Sequence, residues 1–248
     1  MFQPTPYDIN FHFLGFPIRI HPFFWLIIGL LGTNRVITDM AFFFIELVIW
    51  IAAAFVSILI HELGHALVFR HVYRVPSQII FHGMGGMTVP FAQHSRRYGF
   101  FGLLCEVFLS AAGPLAGFVL AGCFIVLFAL CALWTQYFNG SFFDNVNELS
   151  APSLIVSFMQ NVIVISIIWG IFNLLPIYPM DGGHISREIF SFFSPRNGVA
   201  NSLILSMITA IFFALLALRF GQIFVTILFA YFAYQNYQEL SFRSFRRR

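Results

Sequence analysis

Long apolar runs separated by short polar segments make up most of this chain. Runs of this kind predict helices that lie in a membrane. Six of them are visible: 22–32, 40–69, 99–134, 153–175, 203–218 and 221–237. Two other segments predict short β elements. Residues 11–20 partly alternate in polarity and predict a strand, and residues 78–91 place glycines between β-like pieces and predict a hairpin. The predicted fold class is therefore an all-α polytopic membrane protein, with about six transmembrane helices and short membrane-associated β segments.

Composition supports a membrane setting and argues against several other classes. Hydrophobic residues make up 59% of the chain and charged residues only 9%, whereas soluble domains have about 25% charged residues. The net charge of +3 is spread over loops and the tail, so it does not indicate a nucleic-acid partner. The three cysteines lie in apolar runs without CxxC spacing, so we expect neither a disulfide framework nor a cysteine metal site. Because no cleavable signal peptide, repeat or linker is evident, we expect one membrane-embedded domain over residues 1–248.

The second apolar run contains an H-E-x-x-H motif. His61 and His65 are four residues apart, so a helix presents both imidazoles on one face, where they can bind one metal ion. Glu62 can reach a water beside that metal, as in zinc hydrolases. Alternatively, the histidines end a membrane span and Glu62 extends toward water. Polar residues in an apolar membrane helix are energetically costly, which favours the interpretation as a metal site. Glu46 in the same run is interpreted as a residue near the membrane interface.

A second polar element follows the fourth run. Asp181 comes after two prolines and before two glycines, and it would complete a site of two histidines and one carboxylate for Zn²⁺, with an open fourth position. The Asn173 amide is a candidate to stabilise the oxyanion of peptide hydrolysis. Other interpretations of these residues remain. Asp181 caps a helix that starts at Gly182, and Asn173 satisfies carbonyls freed by Pro176. His184, which is close to Asp181 in the sequence, is a residue in the first turn of that helix and not a metal ligand.

The distribution of arginines predicts the orientation. Six spans would place both termini on one side, together with eleven of the 13 basic residues, and leave two on the other. This bias predicts cytosolic termini in a multi-pass cell membrane protein, for example of a bacterial plasma membrane. It also brings the His61–His65 turn and Asp181 to a similar depth at the cytosolic side, although neither was used in the count.

The two motifs together resemble the site-2 protease family of intramembrane zinc metalloproteases, peptidase family M50. The residues that carry the resemblance are His61-Glu62-Leu63-Gly64-His65 and Asn173-Leu174-Leu175-Pro176-Ile177-Tyr178-Pro179-Met180-Asp181-Gly182-Gly183. Weaker similarities are residues 15–22, Gly85-Gly86 and residues 113–117. The resemblance extends from about residue 14 to 240.

The resemblance implies zinc bound by His61, His65 and Asp181, with Glu62 as the base and Asn173 assisting the oxyanion. It implies cleavage of transmembrane segments of membrane proteins, often after another protease has shortened them, as in regulated intramembrane proteolysis. Some family members carry PDZ or CBS domains, and we expect neither here. The Gly85-Gly86 segment is a candidate strand edge for an extended substrate. The alternative functions are a metal-ion transporter and an inactive protease-like membrane adaptor.

Overall fold

The structure is a computed structural model that describes residues 4–32, 40–83, 85–93, 99–137 and 151–246. Its elements, in chain order, are β1 (Ile9–Phe13), β2 (Phe16–Ile20), α1 (Pro22–Gly32), α2 (Met40–Val68), β3 (Ser77–His82), β4 (Gly85–Pro90), α3 (Gly99–Tyr137), α4 (Ala151–Asn173), α5 (Asp181–Phe193), α6 (Gly198–Arg219) and α7 (Ile223–Arg246). One π-helical turn, Phe69–Tyr73, extends α2. Residues 33–39 and 138–150, which separate predicted apolar runs, lie outside the described residues. So do Arg96 and Arg97, two of the eleven basic residues counted for the orientation.

The chain forms two units. The first contains β1–β4, α1, α2 and the parts of α3 and α4 within 112–170, and the second contains residues 99–111 and 171–246. The apolar run predicted at 99–134 is one continuous helix of 39 residues, α3, with Pro114 inside it.

A four-stranded sheet organises the first unit. The strand order is β1-β2-β3-β4, with antiparallel outer pairs and a parallel central pair. The alternating side chains Phe16, Ile18 and Ile20 of β2 are buried, as alternation on a half-buried strand requires. They share a core with Phe24 of α1 and Ile58 of α2. The sheet therefore packs on these two helices, and β4 contacts α2.

The β segment predicted at 11–20 is a hairpin that begins at residue 9, not a single strand. Its turn residues Leu14 and Gly15 have φ of 50° and 78°. Such two-residue turns usually have the sequence Asn-Gly. Because Leu14 stands in the place of Asn, the sequence does not show the pattern that predicts a hairpin. Arg70 stabilises the turn, because its Nη1 donates to the Leu14 carbonyl oxygen at 3.0 Å and its guanidinium lies 3.7 Å above the Phe16 ring. The hairpin predicted within 78–91 is confirmed as β3 and β4.

The second unit is helical. Helices α6 and α7 pack along each other and α5 packs on α6. Ile177, in the turn between α4 and α5, is fully buried against Ala210 of α6 and Phe229 of α7. Gly221, with φ of 71°, lies in the short connection between α6 and α7. The turn that precedes α5 is thus held by the core of this unit.

Four helical segments in the described residues are long and apolar enough to cross a membrane. They are Phe42–Tyr73, Gly99–Leu133, Ser153–Asn173 and Gly198–Arg219. Helix α1 has only 11 residues, about half of what a span needs. Helix α7 has 24 residues, but its second half is rich in Gln, Asn, Glu and Arg. The structure thus confirms a largely helical protein with several apolar spans, whereas the count of six remains a prediction.

Candidate metal centre

The H-E-x-x-H motif lies in the last two turns of α2. His61, Glu62 and His65 are buried, with exposed fractions of 3%, 4% and 9%. The Nε2 atoms of the two histidines are 3.3 Å apart. Two nitrogen ligands at 2.0–2.1 Å from a tetrahedral zinc ion are separated by about 3.3–3.4 Å. The two imidazoles therefore have the spacing that one zinc ion requires.

Glycines create the space around these imidazoles. A Cβ atom on Gly113 of α3 would lie 2.2 Å from His65 Nε2 and 2.7 Å from His61 Nε2. A Cβ on Gly64 would lie 2.3 Å from the carbonyl oxygen of Ala112. Gly64 thus allows α3 to approach α2, and Gly113 leaves room at the ring nitrogens. The two ring nitrogens point toward a position that a side chain on residue 113 would occupy. Because residue 113 is glycine, that position is available for a metal ion.

Glu62 is held by strand β4. The Thr88 hydroxyl lies 2.8 Å from Glu62 Oε2 and 3.0 Å from the Glu62 carbonyl oxygen. Gly86 lies two residues earlier, on the same face of the strand, and a Cβ there would be 2.5 Å from Glu62 Cγ and 2.8 Å from Oε1. On the opposite face, a Cβ on Gly85 would lie 2.6 Å from the Trp169 ring. The Gly85-Gly86 pair therefore passes through a slot that has no room for side chains.

Asn173 and Asp181 bracket the turn between α4 and α5 in the second unit. Asn173 is the last residue of α4 and Asp181 the first of α5, and both are half-buried. The N-cap residue of α5 is Met180. The alternative in which Asp181 caps a helix that begins at Gly182 is therefore wrong, because the helix begins one residue earlier and the Asp181 carboxylate belongs to its first turn.

Backbone packing fixes this turn. A Cβ on Gly182 would lie 2.2 Å from the Leu174 carbonyl oxygen, and one on Gly183 would lie 2.4 Å from the Tyr178 nitrogen. The Tyr178 N–H donates to Ser206 Oγ at 3.1 Å, and Asn236 Nδ2 donates to the Tyr178 carbonyl oxygen at 2.7 Å. The two glycines after Asp181 thus allow the start of α5 to pack closely on the turn before it. This packing fixes the backbone on both sides of Asp181.

His184 is an exposed residue in the first turn of α5. Its backbone N–H donates to the Met180 carbonyl oxygen at 3.1 Å, and its ring lies 5.0 Å from the Tyr178 ring, centroid to centroid. This agrees with the interpretation of His184 as a first-turn residue rather than a ligand.

Two residues of the first unit were not singled out by the sequence. Thr88 gave no signal beyond its place two residues after Gly86 in a β segment. Gly113 was included only as part of residues 113–117, one of the weaker family similarities, although the groups beside it are the imidazoles themselves.

Comparisons with known proteins agree with this chemistry. A family model described as peptidase family M50 matches residues 49–218. A zinc metalloprotease of Methanocaldococcus jannaschii is 28% identical over 228 residues, which are 90% of this chain and 58% of that protein. The chain thus spans less than two thirds of that relative's length. The solved structure of a site-2 protease from Methanocaldococcus jannaschii matches with a TM-score of 0.54 and 25% identity, and the match covers 94% of this chain and 95% of the other.

Proposed function

The chain belongs to peptidase family M50, the site-2 protease family, and on that premise we propose that it is an intramembrane zinc metalloprotease. It hydrolyses peptide bonds in transmembrane segments of membrane proteins. The observation that carries the proposal is the pair of buried imidazole nitrogens 3.3 Å apart, with the Glu62 carboxylate at the adjacent residue.

In this proposal His61, His65 and Asp181 hold the zinc ion. Two histidines and a carboxylate are a common ligand set of catalytic zinc, and a relative of this chain is a zinc metalloprotease. Zinc supplies Lewis-acid polarisation of the substrate carbonyl and favours deprotonation of water.

Glu62 is the general base. Its carboxylate takes a proton from the attacking water and passes it to the amine nitrogen that leaves when the peptide bond breaks. Burial supports this role, because a carboxylate with 4% exposure is shielded from bulk water and keeps a fixed position. Asn173 donates from its side-chain amide to the oxyanion of the tetrahedral intermediate, as the family resemblance implies.

The substrate is a transmembrane segment that must unwind before cleavage, because helical hydrogen bonds enclose the scissile carbonyl. Strand β4 is the last strand of the sheet in the part of the chain that the structure describes. Its edge offers backbone groups to an extended substrate segment beside Glu62. We expect the partners to be the lipid bilayer and a membrane protein already shortened by another protease, as in regulated intramembrane proteolysis. In the proposed orientation both termini and the metal centre face the cytosol.

The test is to measure zinc content and cleavage of a transmembrane substrate by the purified protein in detergent. We expect the wild type to hold one zinc ion and to cut. We expect Glu62→Gln to keep zinc without cutting and Asp181→Ala to lose zinc. If Asp181→Ala kept full zinc and activity, the third ligand would lie elsewhere. A zinc-loaded wild type that cuts no substrate would favour the transporter or adaptor alternatives.

A further inference from the structure

Strand β4 touches the proposed general base through one side chain. The hydroxyl of Thr88 lies 2.8 Å from Glu62 Oε2 and 3.0 Å from the carbonyl oxygen of the same residue. A hydroxyl has a single proton to donate. A charged carboxylate is the stronger acceptor and forms the shorter bond, so the geometry favours donation to Oε2.

The other carboxylate oxygen faces a residue without a side chain. A Cβ atom on Gly86 would lie 2.8 Å from Oε1, closer than unbonded atoms allow. Thr88 and Gly86 lie on the same face of β4. One face of the strand therefore holds Oε2 with a hydrogen bond and places only the backbone of Gly86 next to Oε1.

We propose that Thr88 is a positioning residue for Glu62: its hydroxyl holds Oε2, so that Oε1 is the oxygen that accepts the proton of the attacking water. This inference rests on the proposed protease function. It assigns to β4 a role in the chemistry in addition to any contact with substrate. Because misplacing a reacting group by about 1 Å can cost about 10²-fold in rate, loss of the hydroxyl should act mainly on kcat.

The experiment compares three variants with the wild type. Thr88→Val replaces the hydroxyl with a methyl group of similar size, and Thr88→Ser keeps the hydroxyl. Ser157→Ala is the matched control, because Ser157 Oγ also lies 2.8 Å from a carboxylate oxygen of α2, that of Glu46. For each variant we measure kcat and KM on a transmembrane substrate, and zinc content.

We expect Thr88→Val to lower kcat by about 10–100-fold, with KM within about threefold of wild type and zinc retained. Thr88→Ser should recover kcat to within a few-fold, and Ser157→Ala should leave kcat unchanged. A second readout needs no activity: thermal unfolding of the metal-free protein in a cycle of Thr88→Val and Glu62→Ala, a change that removes the carboxylate acceptor. The two changes should be non-additive by about 2–4 °C, because the residues interact directly.

Three results would overturn the inference: full kcat in Thr88→Val, equal impairment of Thr88→Val and Thr88→Ser, or loss of zinc in Thr88→Val. Full kcat in Thr88→Val would exclude a kinetic role of the hydroxyl. Equal impairment of both variants would indicate that Thr88 serves only packing, and loss of zinc would indicate that it supports the metal centre. These outcomes differ from failure of the proposed function, which would appear as a wild type that does not cut.

Discussion

Helix α2 carries two buried glutamates whose local environments are alike in two respects. Glu46 has an exposed fraction of 7% and Glu62 of 4%. A hydroxyl oxygen lies 2.8 Å from Oε2 of each, from Ser157 of α4 for Glu46 and from Thr88 of β4 for Glu62. By burial and by this hydrogen bond the two carboxylates are nearly equivalent.

Their other neighbours are different. Phe44, Ile45 and Val48, which flank Glu46 on α2, line an apolar groove together with residues of α4. Glu62 stands between the two metal-site histidines in the sequence and packs against a glycine of β4. A buried acid in a membrane helix is by default a sign of function, but burial alone does not distinguish these two residues. What separates them is the pair of histidines next to Glu62 in the sequence and the glycine beside its carboxylate.

The largest difference is expected when each glutamate loses its charge. Glu62→Gln should lower kcat by about 10²–10⁴-fold, the usual contribution of a general base, whereas Glu46→Gln should stay within about threefold of wild type. Both amides keep the size of the side chain and can still accept a hydrogen bond from the neighbouring hydroxyl. Cleavage rates and zinc content of the two variants provide the measurement. Equal loss of activity in both variants would show that the neighbours of the two glutamates do not identify which one is the general base.

The second prediction concerns the space beside the imidazoles. Gly113→Ala places a methyl group 2.2 Å from His65 Nε2, so the ring must move and zinc affinity should fall by about 10–100-fold. Gly117→Ala is the control on the same helix, because its Cβ would be 3.5 Å from the nearest atom, the Ser166 carbonyl oxygen. Zinc competition with a chelator measures both variants. Unchanged affinity in Gly113→Ala would mean that the rings have more freedom than their packing indicates.

These two regions also show what the sequence can predict. His61, Glu62 and His65 are close in sequence, and the period of a helix alone brings the imidazoles to one face. Thr88 is 26 residues from Glu62, and it reaches the carboxylate only because the β3–β4 hairpin packs on α2. No local pattern encodes that packing. The burial of Glu46 could not be predicted for the same reason, since the Ser157 hydroxyl that contacts it belongs to α4, and its position near the membrane interface stays a prediction.

Errors in the predicted elements have local causes. The β1–β2 turn was missed because Leu14 takes a left-handed conformation that its type rarely adopts. The start of α5 was misplaced by one residue because an Asp before two glycines resembles an N-cap. The hairpin at 78–91 was predicted correctly, since its glycines and β-branched residues are strong local signals.

The third prediction tests the glycine face of β4. Gly86→Ala brings a methyl group within 2.5–2.9 Å of the Glu62 side chain, which can move because it is flexible. We therefore expect a loss of about tenfold or more in kcat, with folding and zinc binding retained. The matched control is Gly83→Ala in the same hairpin, whose nearest contact would be 3.3 Å, to the Phe23 ring. Activity at the wild-type level in Gly86→Ala would remove the argument that Oε1 requires a residue without a side chain next to it.

The smallest expected effect is a pH dependence at the strand that pairs with β4. His82 of β3 lies opposite Gly85 of β4. Burial lowers the pKa of His82 below its usual value of 6.5, and the nearby His21 lowers it further. The folded state therefore favours neutral His82, whereas the unfolded chain takes up a proton as the pH falls below about 6.5. Stability should be complete above that pH, decline on acidification and level off below the folded-state pKa.

The measurement is thermal unfolding in detergent from about pH 8 to about pH 5, for the wild type and His82→Gln. The variant keeps a polar side chain but does not titrate, so its unfolding temperature should fall less on acidification. Because β3 supports the strand that holds Glu62, wild-type kcat should decline over the same interval more than that of His82→Gln. Identical pH profiles of the two proteins would show that the β3–β4 pairing is insensitive to this charge. The environment that distinguishes Glu62 from Glu46 would then depend only on the Thr88 hydroxyl and the glycines of β4.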